Sequence, residues 1–230
     1  MRNVIRFLLI PILASLGLAV ASPAQAQNSS SKITAAAAWT IPSNFAANAH
    51  AACTEPSKIS ECFIGRMAKA GASASAVNFA RRLYKQNGGD LGIMTGFQPM
   101  GPVACAWITY PLRANTNFGL LFVNGEPGIV NVEDLKLLDQ KTMKQSGQFQ
   151  DLKKGQFPKV DVWPGDRDGT TWPNSQPGPN GGVQFAVDYP LINGCHACAR
   201  AGRAIFDWNF DAQGKFLGTT FQGMTPPPLP

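Results

Sequence analysis

Two cysteines and a histidine stand within four residues at Cys195-His196-Ala197-Cys198. A C-x-x-C pair can cycle between dithiol and disulfide, and its first thiolate becomes nucleophilic when a helix N-terminus or a cation lowers its pKa. His196, Arg200 and Arg203 would supply such cations. Thioredoxin-like enzymes place this motif at the start of a helix, however, whereas residues 202–211 read here as strand. Haem attachment is excluded, because Ala199 stands where C-x-x-C-H requires histidine. As metal ligands, Cys195, His196 and Cys198 offer two thiolates and an imidazole, a donor set suited to Zn or Cu(I). A structural zinc site needs a fourth ligand, and the chain has no second C-x-x-C and only one other histidine, His50. The preferred reading is a disulfide that braces a turn between neighbouring strands.

Carboxylates form the second candidate. Asp166 and Asp168 stand at i, i+2 before Gly169, resembling a fragment of a calcium loop, with Asp161 placed to join them. A full EF-hand loop also needs later oxygen ligands and a glutamate at its twelfth position, which is missing. A glycosidase pair is defined by separation in space, which spacing in sequence does not give. Aspartate and glycine are also common turn residues, and a solvated turn is the expected role. Serine hydrolysis has no support: there is no G-x-S-x-G, and His50 and His196 are the sole candidate bases. No catalytic constellation is complete. No cofactor is called for, and Zn, Cu or Ca are the ions these two loops would take.

The elements that must hold these residues follow from the remaining cysteines and the hydrophobic pattern. Five cysteines in an oxidising compartment suggest two disulfides and one thiol, and sequence alone permits fifteen arrangements. Cys53 and Cys62 fall before and inside an expected helix over 58–70, so a bridge between them would clamp the preceding segment to it. Cys105 shares a strand face with Trp107 and is the expected buried thiol. Met94 and Met100 read as packing residues rather than soft metal ligands. Trp163, Trp172, Phe206, Trp208 and Phe210 are candidates for a ligand groove, although an aromatic strand face normally belongs to a core.

At the N-terminus, Arg2 and Arg6 precede an apolar run over 7–21, and Ala24-Gln25-Ala26 fits a small-residue cleavage site. That is the layout of a secretory signal peptide over 1–26, so a periplasmic or secreted bacterial envelope protein is expected, without a membrane span after cleavage near Ala26. Cleavage removes two arginines and no acid, which lowers the formal charge from +6 to +4. The short basic pairs Arg81-Arg82 and Lys153-Lys154 do not make a nucleic-acid stripe.

Residues 27–52 read as a poorly ordered or short-helical leader, with Ser43 capping a helix that ends near Ala52. A second helix is expected over 74–86, with Ser73 as its cap and Ala76, Phe79, Ala80 and Leu83 as its apolar stripe. Residues 88–102 read as a connection. Strands are expected over 103–110, 119–123, 129–132, 157–163, 183–189 and 205–210, with another near 215–221. A helical insertion begins at Asn131 or Asp134, with Gly147 breaking it. Residues 164–182 read as a long irregular loop. The expected class is α+β: N-terminal helices followed by a mainly antiparallel sheet with one helical insertion, as a single domain over 53–223 with a proline-rich tail over 224–230. The functional expectation is a non-enzymatic domain, braced by disulfides, that binds an envelope protein or a small ligand. The rival is a thiol redox or metal-handling protein built on Cys195, His196 and Cys198.

Overall fold

The computed structural model describes residues 32–114, 117–165, 169 and 171–226. The expected export signal with its cleavage near Ala26, the carboxylates Asp166 and Asp168, and residues 227–230 of the tail lie outside them. The fold is α+β. Three helices, α1 (Phe45–Ala52), α2 (Ile59–Lys69) and α3 (Ala74–Gln86), precede an antiparallel sheet of β1 (Ile93–Met100), β2 (Val103–Thr109), β3 (Phe118–Val123) and β4 (Ile129–Asn131) in sequence order. Two short helices follow, α4 (Gln140–Gln145) and α5 (Gly147–Lys154). A second antiparallel sheet then runs β5 (Val160–Val162), β7 (Val183–Asn193), β8 (Arg200–Phe210), β9 (Phe216–Thr225), with β6 (Asn174–Pro177) also paired to β7. The β-structure is thus two sheets rather than one. Among the described residues no helix is long and apolar enough to cross a membrane.

Strand periodicity explains the layering. Along β2, Val103, Cys105 and Trp107 join one core, whereas Ala104, Ala106 and Ile108 join another, because successive side chains point to opposite faces. The first core lies between the sheets. There the Phe122 ring meets Phe185, Trp208 and Phe210 at 4.6, 5.7 and 5.1 Å between centroids. The second face packs on α3 through Phe79 and Leu83. Both faces of the first sheet are therefore covered, and burying Phe122 fully is worth about 2–3 kcal/mol. Phe206, Trp208 and Phe210 are completely buried here, so they form core and not a groove.

The segment before α1 is fixed to the first sheet. Ile33 N donates to Asn124 Oδ1 and Asn124 Nδ2 donates to Ile33 O, both at 2.7 Å, and Trp39 N donates to Met94 O at 2.9 Å. Ile33, Ala37 and Trp39 are buried in consequence. Ser73 caps α3 as expected, accepting from Ala76 N at 3.1 Å, and its hydroxyl also donates to Ala36 O at 2.8 Å. Asn44, rather than Ser43, precedes α1, and its side chain makes no cap bond.

Several boundaries depart from the sequence reading. Residues 88–102 contain β1, an edge strand in which Pro99 is tolerated because edge positions need no ladder donor, and whose register shifts between Met94 and Gly96. Within 164–182 lies β6, whose four residues are all exposed and therefore carry no alternation. The helical insertion begins as a 3-10 turn over Leu135–Leu137, with Asp134 accepting from Lys136 N. α4 and α5 are then capped separately by Asp139 and Ser146. β9 continues through Met224 and Thr225, positions assigned to the tail by composition.

Candidate functional site

Both cysteine pairs are bonded: Cys53 to Cys62 and Cys195 to Cys198. Cys105 is free and wholly buried, and burial pushes its thiol up to about 12. The Cys195–Cys198 bond sits at the tip of the β7–β8 hairpin, where Cys198 N donates to Cys195 O at 2.8 Å across the turn. Residues 194–200 are all exposed. The His196 ring lies 6.1 Å from Trp163 in an edge-to-face arrangement, and Lys159 N donates to Asn193 Oδ1 at 2.8 Å. The motif therefore has strand on both sides and no helix starting at Cys195, so the helix-dipole route to an acidic thiol is missing. Exposure remains the one property it shares with a redox pair.

The metal and cation readings gain no converging ligands. Among the described residues, no three His, Cys, Asp or Glu side chains come together as a metal site. Asp161 lies in β5, where its Oδ1 accepts from Val162 N at 2.9 Å and its Oδ2 from Lys144 Nζ at 3.1 Å. Its carboxylate is thereby used within the fold. His50 is exposed and edge-on to Phe63 at 4.9 Å. Trp172 packs on Trp107, with centroids 5.5 Å apart.

A convergent site does exist, built from segments the sequence keeps apart. Tyr110, just past β2, lies fully buried in a slot made by two glycines. A Cβ on Gly92 would come 3.0 Å from Tyr110 Cε1, and one on Gly119 would come 2.7 Å from Tyr110 Cε2. With that ring held, the Arg113 guanidinium stacks over its face, 3.4 Å from the centroid. Arg113 Nε and Nη2 donate to Asp90 Oδ2 at 2.8 and 2.6 Å, and Nη1 donates to Glu133 Oε1 and Oε2 at 3.1 and 2.8 Å. Burial alone would lower the guanidinium pKa, but the Glu133 charge and the bonds to both carboxylates hold it above its ordinary value. For Tyr110, burial first and the Glu133 charge second push the phenol well up.

This cluster forms one wall of a cleft of about 510 Å³, within the size range of small-ligand sites. Asn87, Asp90, Arg113, Asn131 and Asp134 supply polar groups, and Pro127, Ile129, Leu137 and Phe216 supply apolar surface. The apolar side is fixed where the β3–β4 and β8–β9 turns meet. Glu126 N donates to Gly214 O at 3.0 Å and Phe216 N to Glu126 O at 2.8 Å. Gly125 permits this close approach, since a Cβ there would run into Gly214 O. These residues carry no linear motif: Arg113 lies 23 residues from Asp90 and 20 from Glu133. In sequence, Asp90 lies in the connection read over 88–102 and Asp134 at a helix start, and Arg113 carries no local signal. In comparisons with known proteins no family model, no curated sequence and no solved structure matches the chain, so its chemistry is read from its own residues.

Proposed function

We propose that this disulfide-braced α+β domain is an exported, non-enzymatic binding protein of the bacterial envelope, and that its ligand occupies the cleft beside Arg113. The observation that carries this reading is the cleft's construction. Arg113 is held by Tyr110, Asp90 and Glu133, and it shares the cleft with apolar residues, two of which, Pro127 and Phe216, sit at the meeting of two turns. Pre-organisation of this kind lowers the ordering cost of binding. Support for export comes from the signal-like N-terminal sequence and from disulfide use, which suits an oxidising compartment.

The test is a fragment screen by amide NMR on the mature exported protein, whose N-terminal mass also reports cleavage near Ala26. Binding should shift the signals of Asn87, Ile129, Asn131 and Phe216 together. A screen in which these signals stay still while another surface responds would overturn the assignment.

Exposure of Cys195, His196 and Cys198 favours a second reading, thiol exchange or soft-metal handling at the hairpin tip. Exposed disulfides are the more readily exchanged ones. Trapping of a mixed disulfide through Cys195, or one bound Zn or Cu(I) per reduced chain that is lost on His196→Ala, would support it. A bond that resists glutathione would dismiss it.

A further inference from the structure

We propose that the Arg113 cleft selects a small organic cation carrying an apolar body, such as a primary amine on an aromatic or alkyl group. This rests on the cleft being the ligand site, and it names the class of ligand. The charge balance is the first observation. Arg113 is shared between Asp90 and the largely buried Glu133, and Asp134 stands with Asp90 on the lining, so two carboxylates line the cleft and a third lies behind its one guanidinium. The chain as a whole is positive by six, whereas the charged side chains lining the cleft are two aspartates and one arginine. An anionic ligand would meet repulsion there, whereas a cation would be drawn in.

Hydrogen-bonding capacity points the same way. Both Arg113 bonds to Asp90 end on Oδ2, and Oδ1 accepts from no group among the described residues. Among the described residues Asp134, which is exposed, accepts from Lys136 N through Oδ1 and from no group through Oδ2. An ammonium group has three donors and no acceptor, which suits two solvent-facing carboxylates, Asp90 and Asp134. Asn87 Nδ2, buried at the same wall, has no partner within the described structure. That nitrogen is shielded from solvent and its side chain lies beside the Tyr110 hydroxyl, so it belongs to the wall and not to the groups a ligand would meet. Ile129, Leu137, Pro127 and Phe216 also line the cleft and suit a hydrocarbon or ring rather than a bare ion.

The experiment compares three probes of one shape and different charge: phenethylamine, 2-phenylethanol and phenylacetate. Each is titrated into the isotope-labelled mature protein, following the amides of Asn87, Asn131 and Phe216. The amine should bind at least roughly tenfold more tightly than the alcohol, as a charge-assisted bond implies, and the acid should not bind. Asp134→Asn should weaken the amine roughly five- to tenfold by the same criterion. Glu61→Gln, which removes an exposed charge on α2, should leave its affinity unchanged. If the alcohol or the acid shifts the cleft amides at equal or lower concentration, the cation class is overturned while the cleft remains a binding site. If Glu61→Gln weakens the amine as much as Asp134→Asn does, the attraction is general and the cleft-specific cation site falls. If neither these probes nor an uncharged fragment set moves the cleft, the binding-site reading itself fails.

Discussion

At the tip of the β7–β8 hairpin, Cys195, His196 and Cys198 are adjacent in sequence and exposed, with Trp163 and Lys159 beside them. Around Arg113, four side chains from three segments lock one another in place, with Arg113 25% and Glu133 8% exposed. Reactive residue types crowd the first region, but few supports orient them. The second region holds ordinary residue types under tight geometric control. Binding sites depend on supports that fix rotamers, so the Arg113 region is the better candidate although its residues form no motif. The contrast can be tested by perturbing each region and asking how far the damage spreads.

The largest effect should come from Arg113→Ala. It would leave Asp90 and Glu133 without their shared cation, and Glu133 is nearly buried. Removing one member of a buried ion group costs about 3–5 kcal/mol, and the partial exposure of Asp90 places this case near 3. Urea denaturation would measure it. A loss below about 1 kcal/mol would assign the cluster to the class of surface pairs and erase the contrast.

Gly119→Ala should cost about 2 kcal/mol, as overpacking commonly does. The new Cβ would press on Tyr110 and lie 3.3 Å from the Glu133 carboxylate. The signals of Arg113 and Asn131 should shift although neither residue changes. A silent Gly119→Ala would show that the ring has room to move and that Arg113 is not pre-organised.

Opening the hairpin-tip bond with the paired changes Cys195→Ser and Cys198→Ser should cost at most about 2 kcal/mol. A bond three residues apart constrains little of the unfolded chain, whereas the nine-residue separation of Cys53 and Cys62 corresponds to about 3 kcal/mol. The cleft amides should not move. Shifts at Asn131 or Phe216 would mean that the tip and the cleft are coupled, and the two regions would then have to be treated as one.

How much of this was legible in sequence follows the same division. Helices α2 and α3, the β3–β4 hairpin and the long β7–β8 pair were readable because their apolar residues repeat with the period of the element. Cys105 was recognisable as the buried thiol because it alternates with Trp107 on one strand. β1 and β6 were hidden, the first by Gly96 and Pro99 and the second by having no buried face at all. The division of the strands into two sheets depends on long-range pairing, to which local periodicity is blind. For the cleft, Asp90, Arg113 and Glu133 converge because the first sheet brings their segments together, and nothing local to any one of them announces the other two.

The smallest effect separates packing from hydrogen bonding within the stronger region. Tyr110 Oη is buried and has no hydrogen-bond partner among the described residues, although Asn87 lies near enough to oppose the dominant upward effect of burial on its pKa. Tyr110→Phe keeps the ring under Arg113 and removes only that hydroxyl, so stability at neutral pH should change by less than about 0.5 kcal/mol. Alkaline pH should reveal the difference. In the folded protein Cys105 and Tyr110 are both held above their ordinary values of 9.0 and 10.0. The unfolded chain therefore loses these protons first, and stability is complete below the unfolded values and falls as pH rises past them. Each group contributes a slope of about 1.4 kcal/mol per pH unit. Only Cys105 acts between pH 9 and 10, and both act above 10. Tyr110→Phe should follow the native protein to pH 10 and then lose stability at about half the rate. A penalty above about 1.5 kcal/mol at neutral pH would instead mean that the hydroxyl is bonded, with Asn87 as the partner, and that the ring's position depends on that bond as well as on its glycine slot.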